Sequence, residues 1–546
     1  MSRFVDTMVA TAARAEDRGM TTGEPTAPVR RTWGEVHERA ARMAGALVAG
    51  GVARGASIAV LAGDPAAIAP AVQAVWLSGG SITMLHQPTA RTDLAEWAED
   101  TLRVLSMIGA KLVLLGSPFD ALAAVLDEHH VAYRTLDDLD GEPLAAPVEV
   151  DESATALLQL TSGSTADPKA VRITHGNLWS NAKAMEVAAR LDPQTDRMVS
   201  WLPLFHDMGM VGFLTVPMLF GIDLVKVTPA DFLGRPTLWP DLISRYQGTI
   251  TAAPNFAYAI AARRMEGVAD GTWDLSRLRI ALNGAEPIDP TAVKAFTDAG
   301  ARFGMPAECV LCAYGMAETT LGVAFAPVFT GISVDVVDPD ELEAGRRAVP
   351  VAADSPNARA FPLLGPPLPD LEVQVVDESG AVRGEREVGR LRVRGEAVTP
   401  GYLTVDGPRD TQDAEGWLDT GDEGYLADGQ VVVCGRRKDV IIMGGRNIYP
   451  TDIERAATSV EGVRAGNAVA VRLDAGTRRE RFAVVVESRL AGEDEAVREL
   501  GKQITARVVD AVGLRPFSVV VLKPGSLPKT PSGKLRRSAA SSLVPS

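Results

Sequence analysis

The chain has 546 residues, 46% of them hydrophobic and 23% charged, a mixture that buries more than one core and argues against disorder as its main state. Its 70 acidic and 55 basic side chains give a formal charge of −15, with no basic patch of groove length, so nucleic acid is excluded as a partner class. No signal-like N-terminal stretch and no bilayer-length apolar run are present, which predicts a cytoplasmic protein without a transmembrane segment.

The first third alternates helical and extended patterns. A helix is expected around Val36 to Val48, a strand over Ser57 to Leu61 and a helix from Pro65 to Leu77. Ile82 to Leu85 then reads as a strand, Asp93 to Met107 as a helix and Leu112 to Leu115 as a strand, an alternation that predicts doubly wound α/β structure with parallel sheets. Between Leu363 and Gly435 helical periodicity fades, and short Val-rich runs such as Leu371 to Val376 and Gly389 to Val393 predict a small β-rich subdomain. Beyond it, Thr451-Asp-Ile-Glu454 reads as a capping box opening a helix, followed by strands near Ala468 to Leu473 and Arg481 to Glu487. That is a C-terminal α+β domain, and the lack of a low-complexity linker places a tight hinge near residue 436. Cys309, Cys312 and Cys434 are too few for a disulfide framework and are expected to be buried packing residues.

The stretch Leu160-Thr161-Ser162-Gly163-Ser164-Thr165-Ala-Asp-Pro-Lys169 surrounds a glycine with small hydroxyl residues and ends in a cation, as a phosphate-gripping loop requires. It is not the P-loop pattern, so a kinase-like or GTPase reading loses its main support; a Ser/Thr-rich surface turn is the bland alternative. Five further blocks follow: Trp201-Leu-Pro-Leu-Phe-His206-Asp-Met-Gly209, Asn283-Gly284-Ala285-Glu286-Pro287, Ala313-Tyr314-Gly315-Met316-Ala-Glu318-Thr319, Asp419-Thr-Gly-Asp422 and Gly435-Arg436-Arg437-Lys438-Asp439. Near the end stands Leu527-Pro-Lys-Thr-Pro-Ser-Gly-Lys534-Leu-Arg-Arg537. Singly, these read as a core histidine, ordinary turns, a solvated charge cluster and a basic tail.

Together and in this order they resemble the adenylate-forming superfamily of acyl-CoA synthetases, peptide-synthetase adenylation domains and luciferases. Ala166 and Ala170 stand where that family commonly has glycine. The resemblance implies ATP and Mg²⁺ as cofactors and assigns residues 161–165 and Lys169 to the phosphates. It places Asn283 to Glu286 and Ala313 to Met316 at the adenine, with Tyr314 stacking on the base. Glu318, with Thr165, would hold Mg²⁺, and Thr319 would contact the α-phosphate. Asp422 and Arg436 would bind the ribose, His206 would lie beside the acyl pocket, and Lys534 would be the catalytic cation. The implied division is an N-terminal adenylation domain at 1–435, a hinge at 436–438 pivoting on Lys438, and a mobile C-terminal lid at 439–546.

Within the superfamily the chain resembles actinobacterial fatty acyl-AMP ligases, through Trp201 to Gly209, Ala253-Pro-Asn-Phe-Ala-Tyr258, Asn283 to Pro287 and Gly445-Arg-Asn-Ile-Tyr-Pro450. The long segment from Tyr314 to Gly365 and Ile442, where several CoA-using relatives carry lysine, agree with this; Phe205 and Ile448 depart from the group's commoner Tyr and His. The implied activity is conversion of a fatty acid to acyl-AMP and transfer to an acyl carrier protein, with CoA as the alternative acceptor. An inactive nucleotide- or lipid-binding relative is the alternative of another class. An acidic carrier would need a basic surface on this acidic chain, for which Arg478, Arg479, Arg481, Arg536 and Arg537 are the candidates.

Overall fold

Short strands of three to seven residues and helices, many of them capped at their starts, account for most of the N-terminal half. The computed structural model describes every residue except 1, 16, 90, 91, 162–166, 356, 357, 444, 445, 478, 479, 531–534 and 546. It forms two compact units. The first comprises Met1–Ile332, Gly365–Glu372 and Arg394–Leu418, and the second Ser333–Leu364, Val373–Val393 and Asp419–Ser546.

Two eight-stranded sheets organise the first unit. One runs in the order Gly407–Asp410, Gly401–Thr404, Lys169–Thr174, Thr155–Thr161, Ser81–Met84, Ser57–Leu61, Leu112–Leu115 and Tyr133–Thr135. From Thr155–Thr161 to Tyr133–Thr135 its strands pair parallel, and Ser57–Leu61 is buried throughout because crossover helices such as Pro65–Leu77 cover parallel strands. That helix is buried almost all round and starts at Asp64, whose carboxylate accepts from the Ala66 amide at 2.8 Å. The neighbouring helix, Trp33–Ala49, opens with a true capping box between Thr32 and Glu35. The other sheet runs Gly322–Phe325, Val310–Gly315, Ile280–Asn283, Ile250–Ala253, Arg197–Ser200, Asp223–Lys226, Gly19–Thr22 and Val29–Thr32, parallel except at its two edges. The expected α/β class therefore holds, and the expected elements over 33–115 fall within a few residues of their places.

The β-rich region is divided in a way the pattern did not predict. Leu371–Val376, Gly389–Gly395, Leu418–Ala427 and Gln430–Arg436 form one four-stranded sheet. Gly401–Thr404 and Gly407–Asp410 instead extend the first unit's sheet, with Tyr402 opposite Val171 and Thr404 opposite Lys169. Ala170, expected in the phosphate loop, is consequently a buried strand residue between Leu160 and Leu403.

The second unit also holds a three-stranded sheet, Val463–Leu473, Arg481–Ser488 and Ser518–Leu522, packed with the helices Pro450–Thr458 and Asp494–Val512. The expected capping box at Thr451 and Glu454 is not formed. The helix begins two residues earlier than that box requires, at Pro450, whose fixed φ and missing N–H suit the first helical position. Glu454 instead accepts from the Ala470 amide at 3.0 Å and from Arg537 at 2.7 and 2.9 Å.

Buried charge is concentrated in this unit. Glu343, fully buried, accepts from Arg359 at 2.6 Å and from Arg446 at 2.8 Å, and Arg359 reaches Asp452 at 3.3 Å. Buried Tyr449 donates to Glu423 at 2.7 Å, and Glu423 also pairs with Arg346. Cys434 is buried here, and Cys309 and Cys312 are buried in the first unit, where burial foremost pushes both thiols up to about 12. These thiols are inert packing groups. Among the described residues, no helix is long and apolar enough to cross a membrane.

Candidate active site

Strand Thr155–Thr161 ends at Thr161, whose Cα partner is Lys169 on the returning strand. Ser162, Gly163, Ser164 and Thr165 lie outside the described residues. The Thr161 hydroxyl is buried and meets no partner among the described residues. Lys169 places its ammonium over the face of Tyr402, 4.1 Å from the ring centroid. The Tyr402 hydroxyl donates to Glu318 Oε1 at 2.6 Å.

Glu318 lies on a tight connection between Val310–Gly315 and Gly322–Phe325. Gly315 is required there, since a Cβ would stand 2.2 Å from the Leu321 carbonyl oxygen. Thr320 sits at φ 70°, ψ −54°, the strained γ-turn region, held by its amide to Ala317 and its hydroxyl to the Ala397 carbonyl at 3.0 Å. The Glu318 carbonyl accepts from the Thr399 amide at 2.8 Å. Thr319 is buried, with its hydroxyl donating to the Met316 carbonyl at 2.9 Å. Tyr314 is half-buried, while Ala313 and Met316 are buried.

The Asn283 block abuts this one, with Asn283 opposite Cys312 on the neighbouring strand. Asn283 donates to Asn255 Oδ1 at 3.1 Å, and its own carbonyl oxygen is buried without a partner among the described residues. A Cβ at Gly284 would come within 3.1 Å of the Ala313 carbonyl oxygen, and Ala285 is held at φ 69°. Glu286 accepts from the Phe256 amide at 2.6 Å, and Asn255 also accepts from the Asp289 amide. Asn255 is thus a brace of this block that sequence reasoning missed, although it lies inside the quoted run Ala253 to Tyr258.

His206 is half-buried, with Nδ1 2.6 Å from Asp207 Oδ1. It precedes a π-helical turn, Met208–Thr215, kinked at Phe213; such turns recur at functional sites. Gly209 is obligatory, because a Cβ would meet the Pro203 carbonyl oxygen at 2.1 Å. The loop is fixed from behind: Gln159 donates to the Phe205 carbonyl at 3.0 Å, and fully buried Lys226 donates to the Leu202 carbonyl. Burial alone brings the Lys226 ammonium down to about 7. His86 packs edge-on to Phe205 at 5.6 Å; burial foremost, with His206 nearby, lowers its imidazole to about 4. Trp201 is a packing residue, stacked on Phe232 at 4.1 Å.

In the second unit Asp422 and Arg436 are cross-strand partners, with Arg436 Nε 3.0 Å from Asp422 Oδ1 and its Nη1 donating to the Thr420 carbonyl at 2.9 Å. Lys438 is exposed in a 3₁₀ turn, Arg437–Asp439, and its carbonyl accepts from Arg472 at 3.3 Å. Lys534 lies outside the described residues, as do Arg478 and Arg479. Of the arginines proposed for a docking surface, Arg537 is withdrawn: it is held by Glu454 and Asp439. Arg481 stacks on Phe517 at 3.6 Å and pairs with Asp474. Both have local structural employment that charge counting does not reveal.

The donor set suits a hard cation carried by a nucleotide. Among the described residues no three metal-ligating side chains converge, which excludes an all-protein cage there. Glu318 offers one carboxylate whose Oε2 has no partner among the described residues, and Mg²⁺ is commonly held by one or two carboxylates together with substrate phosphates. The buried Thr161 hydroxyl and Asn283 Oδ1, without partners among the described residues, are likewise what a site completed by its ligand leaves behind.

Comparison with known proteins agrees with this geometry. The AMP-binding enzyme family matches residues 9–403, and the AMP-binding enzyme C-terminal domain matches residues 445–539. A Mycobacterium tuberculosis protein named "Putative ligase Rv1013" is 57% identical over 100% of both chains. The long-chain-fatty-acid–AMP ligase FadD32 of Mycolicibacterium smegmatis is 33% identical over 72% of this chain and 69% of its own. A solved structure from studies of fatty acyl-adenylate ligases of E. coli and L. pneumophila superposes with a TM-score of 0.89 at 30% identity, covering 100% of this chain and 97% of that one. Both domain matches, the relative covered from end to end and the meeting of Lys169 and Glu318 on Tyr402 lead to one assignment: the chain belongs to the AMP-binding enzyme family and is an adenylate-forming ligase.

Proposed function

We propose that the enzyme uses ATP to convert a fatty acid into its acyl-adenylate with release of pyrophosphate, then passes the acyl group to the phosphopantetheine thiol of an acyl carrier protein. The observation that carries the reading is the meeting of Lys169 and Glu318 on one tyrosine, a cation for phosphates and a carboxylate for their metal. The fatty acid is supported by the relative named a long-chain-fatty-acid–AMP ligase.

In the first step a carboxylate oxygen of the acid attacks the α-phosphorus, and the bond from that phosphorus to the pyrophosphate oxygen breaks. Both reactants are anions, so catalysis consists of alignment and charge neutralisation. Lys534 is proposed to bridge the carboxylate and the α-phosphate. Lys169, with residues 161–165, holds the phosphates, while Asn283 to Glu286 and Ala313 to Met316 hold the adenine against Tyr314. Thr319 lies at the α-phosphate, Asp422 and Arg436 at the ribose, and His206 beside the acyl group. Glu318 and Thr165 would hold Mg²⁺, which supplies neutralising charge at the departing phosphates when bound. In the second step the thiol gives its proton to solvent, its sulfur attacks the acyl carbon, and the bond from that carbon to the phosphate oxygen breaks, releasing AMP. Lys438 is the proposed pivot between residues 1–435 and 439–546 for this exchange of partners.

Exchange of labelled pyrophosphate into ATP, with fatty acids of graded length, tests the first step; no exchange with any of them ends the proposal. Incubation with ATP, a lauric-type acid and either CoA or a carrier protein tests the second. Acyl-carrier product is expected, and efficient acyl-CoA formation would replace the carrier with CoA as acceptor.

A further inference from the structure

We propose that Tyr402 is a positioning residue of the nucleotide site: its ring face seats Lys169 and its hydroxyl seats Glu318, so that cation and carboxylate are placed before ATP arrives. This rests on the reading of those two residues as phosphate and magnesium groups. Tyr402 itself lies 84 and 233 positions from its partners, outside every block that pointed to the activity.

The contact is built into the backbone. Strand Gly401–Thr404 pairs antiparallel with Lys169–Thr174, Tyr402 opposite Val171 and Thr404 opposite Lys169. Tyr402 and Lys169 are therefore diagonal neighbours on the same face of the sheet, within reach of an aromatic and a long side chain. On the other side, the turn bearing Glu318 is tied to the same segment by the Thr399 amide at 2.8 Å and by Thr320 to Ala397 at 3.0 Å. Three links thus converge on residues 397–402, and the tyrosine is held at their centre.

Two consequences follow from the chemistry. A glutamate free in solution must be ordered before it can ligate a cation; anchoring Oε1 at 2.6 Å fixes the carboxylate plane and leaves Oε2 for the metal. A cation over a half-buried ring is attracted only weakly, so Lys169 is kept in place yet moves to a phosphate at little cost. The hydroxyl and the ring therefore have separable duties, toward metal and toward phosphate respectively.

Tyr402→Phe removes the hydroxyl and keeps the ring; Tyr402→Leu removes both. In the full-length chain, ATP affinity is measured by calorimetry in EDTA, and the Mg²⁺ concentration for half-maximal enhancement of binding is then titrated. Tyr402→Phe is expected to leave metal-free ATP affinity within about twofold and to raise the Mg²⁺ requirement about three- to tenfold, the scale of ordering one side chain. Tyr402→Leu is expected to weaken metal-free ATP binding as well. An unchanged or lowered Mg²⁺ requirement in Tyr402→Phe overturns the proposal, and melting temperatures establish that each variant is folded. Should Tyr402→Leu not fold, the phenylalanine variant decides alone. Because these are binding measurements, wild-type protein that binds Mg·ATP but exchanges no pyrophosphate would end the fatty-acid reading while leaving Tyr402 still decided by the titration.

Discussion

Charged and polar side chains are buried in both units of the molecule, but to opposite effect. In the second unit Glu343, Arg359, Arg446, Asp452, Glu423, Arg346 and Tyr449 pair mainly with one another, although Arg346 Nη1, Arg359 Nη1 and Asp452 Oδ2 make no hydrogen bond among the described residues. In the first, Thr161 and Asn283 keep buried oxygens without partners among the described residues, and Glu318 is anchored through one carboxylate oxygen. Paired charges hold the fold, while unpartnered polar atoms beside the candidate site are left for a ligand. The difference is one of partner supply and not of residue type, since glutamate and hydroxyl side chains occur in both.

The comparison breaks first at Glu343. Glu343→Ala leaves the buried Arg359 and half-buried Arg446 guanidinium groups without their shared carboxylate and should cost about 3–5 kcal/mol of stability, read by urea unfolding. A loss below about 1 kcal/mol would show the network to be ornamental. Lys534→Ala should do the reverse: melting unchanged, but pyrophosphate exchange reduced about 10²- to 10³-fold, the scale of one lost electrostatic donor. Near-normal exchange would remove Lys534 from its role.

Lys226 sharpens the contrast, being a buried cation with carbonyl and hydroxyl partners. Its ammonium is lowered to about 7 when folded and returns to about 10.4 when unfolded. Between those values the unfolded chain binds more protons, so stability should rise with pH from about 7 toward 10, by at most about 1.4 kcal/mol per pH unit. Lys226→Met should flatten that rise in denaturation measured at pH 7, 8 and 9; the same slope in both proteins would refute it. The smallest effect is expected at Thr161→Val, which removes a buried hydroxyl that has no partner among the described residues. The free enzyme should gain about 1 kcal/mol while ATP binds more weakly, and a loss of stability would mean the hydroxyl has a partner in the free protein.

Much of this was legible in the residues. The strand and helix alternation over 33–115, the motif order from Thr161 to Lys438 and the burial of the cysteines all follow from local pattern and composition. Thr451 misled because capping-box spacing ignores Pro450, which starts the helix two residues earlier than a Thr451 cap would. Arg537 misled because net charge does not reveal that Glu454 and Asp439 already hold it.

By itself the sequence determined which chemistry is available: hydroxyl residues around a glycine, a carboxylate in the block Ala313 to Thr319, an aspartate and arginine at the end of the β-rich region. Those are short-range facts, written in residue type and spacing. Only the tertiary structure decided which groups share a partner. Gly401–Thr404 leaves the β-rich run around it to pair with Lys169–Thr174, bringing Tyr402 to Lys169 and Glu318 across separations of 233 and 84 residues. Strand pairing is a long-range choice made by backbone hydrogen bonds and register, and period-two alternation reveals a strand's faces without naming its neighbour.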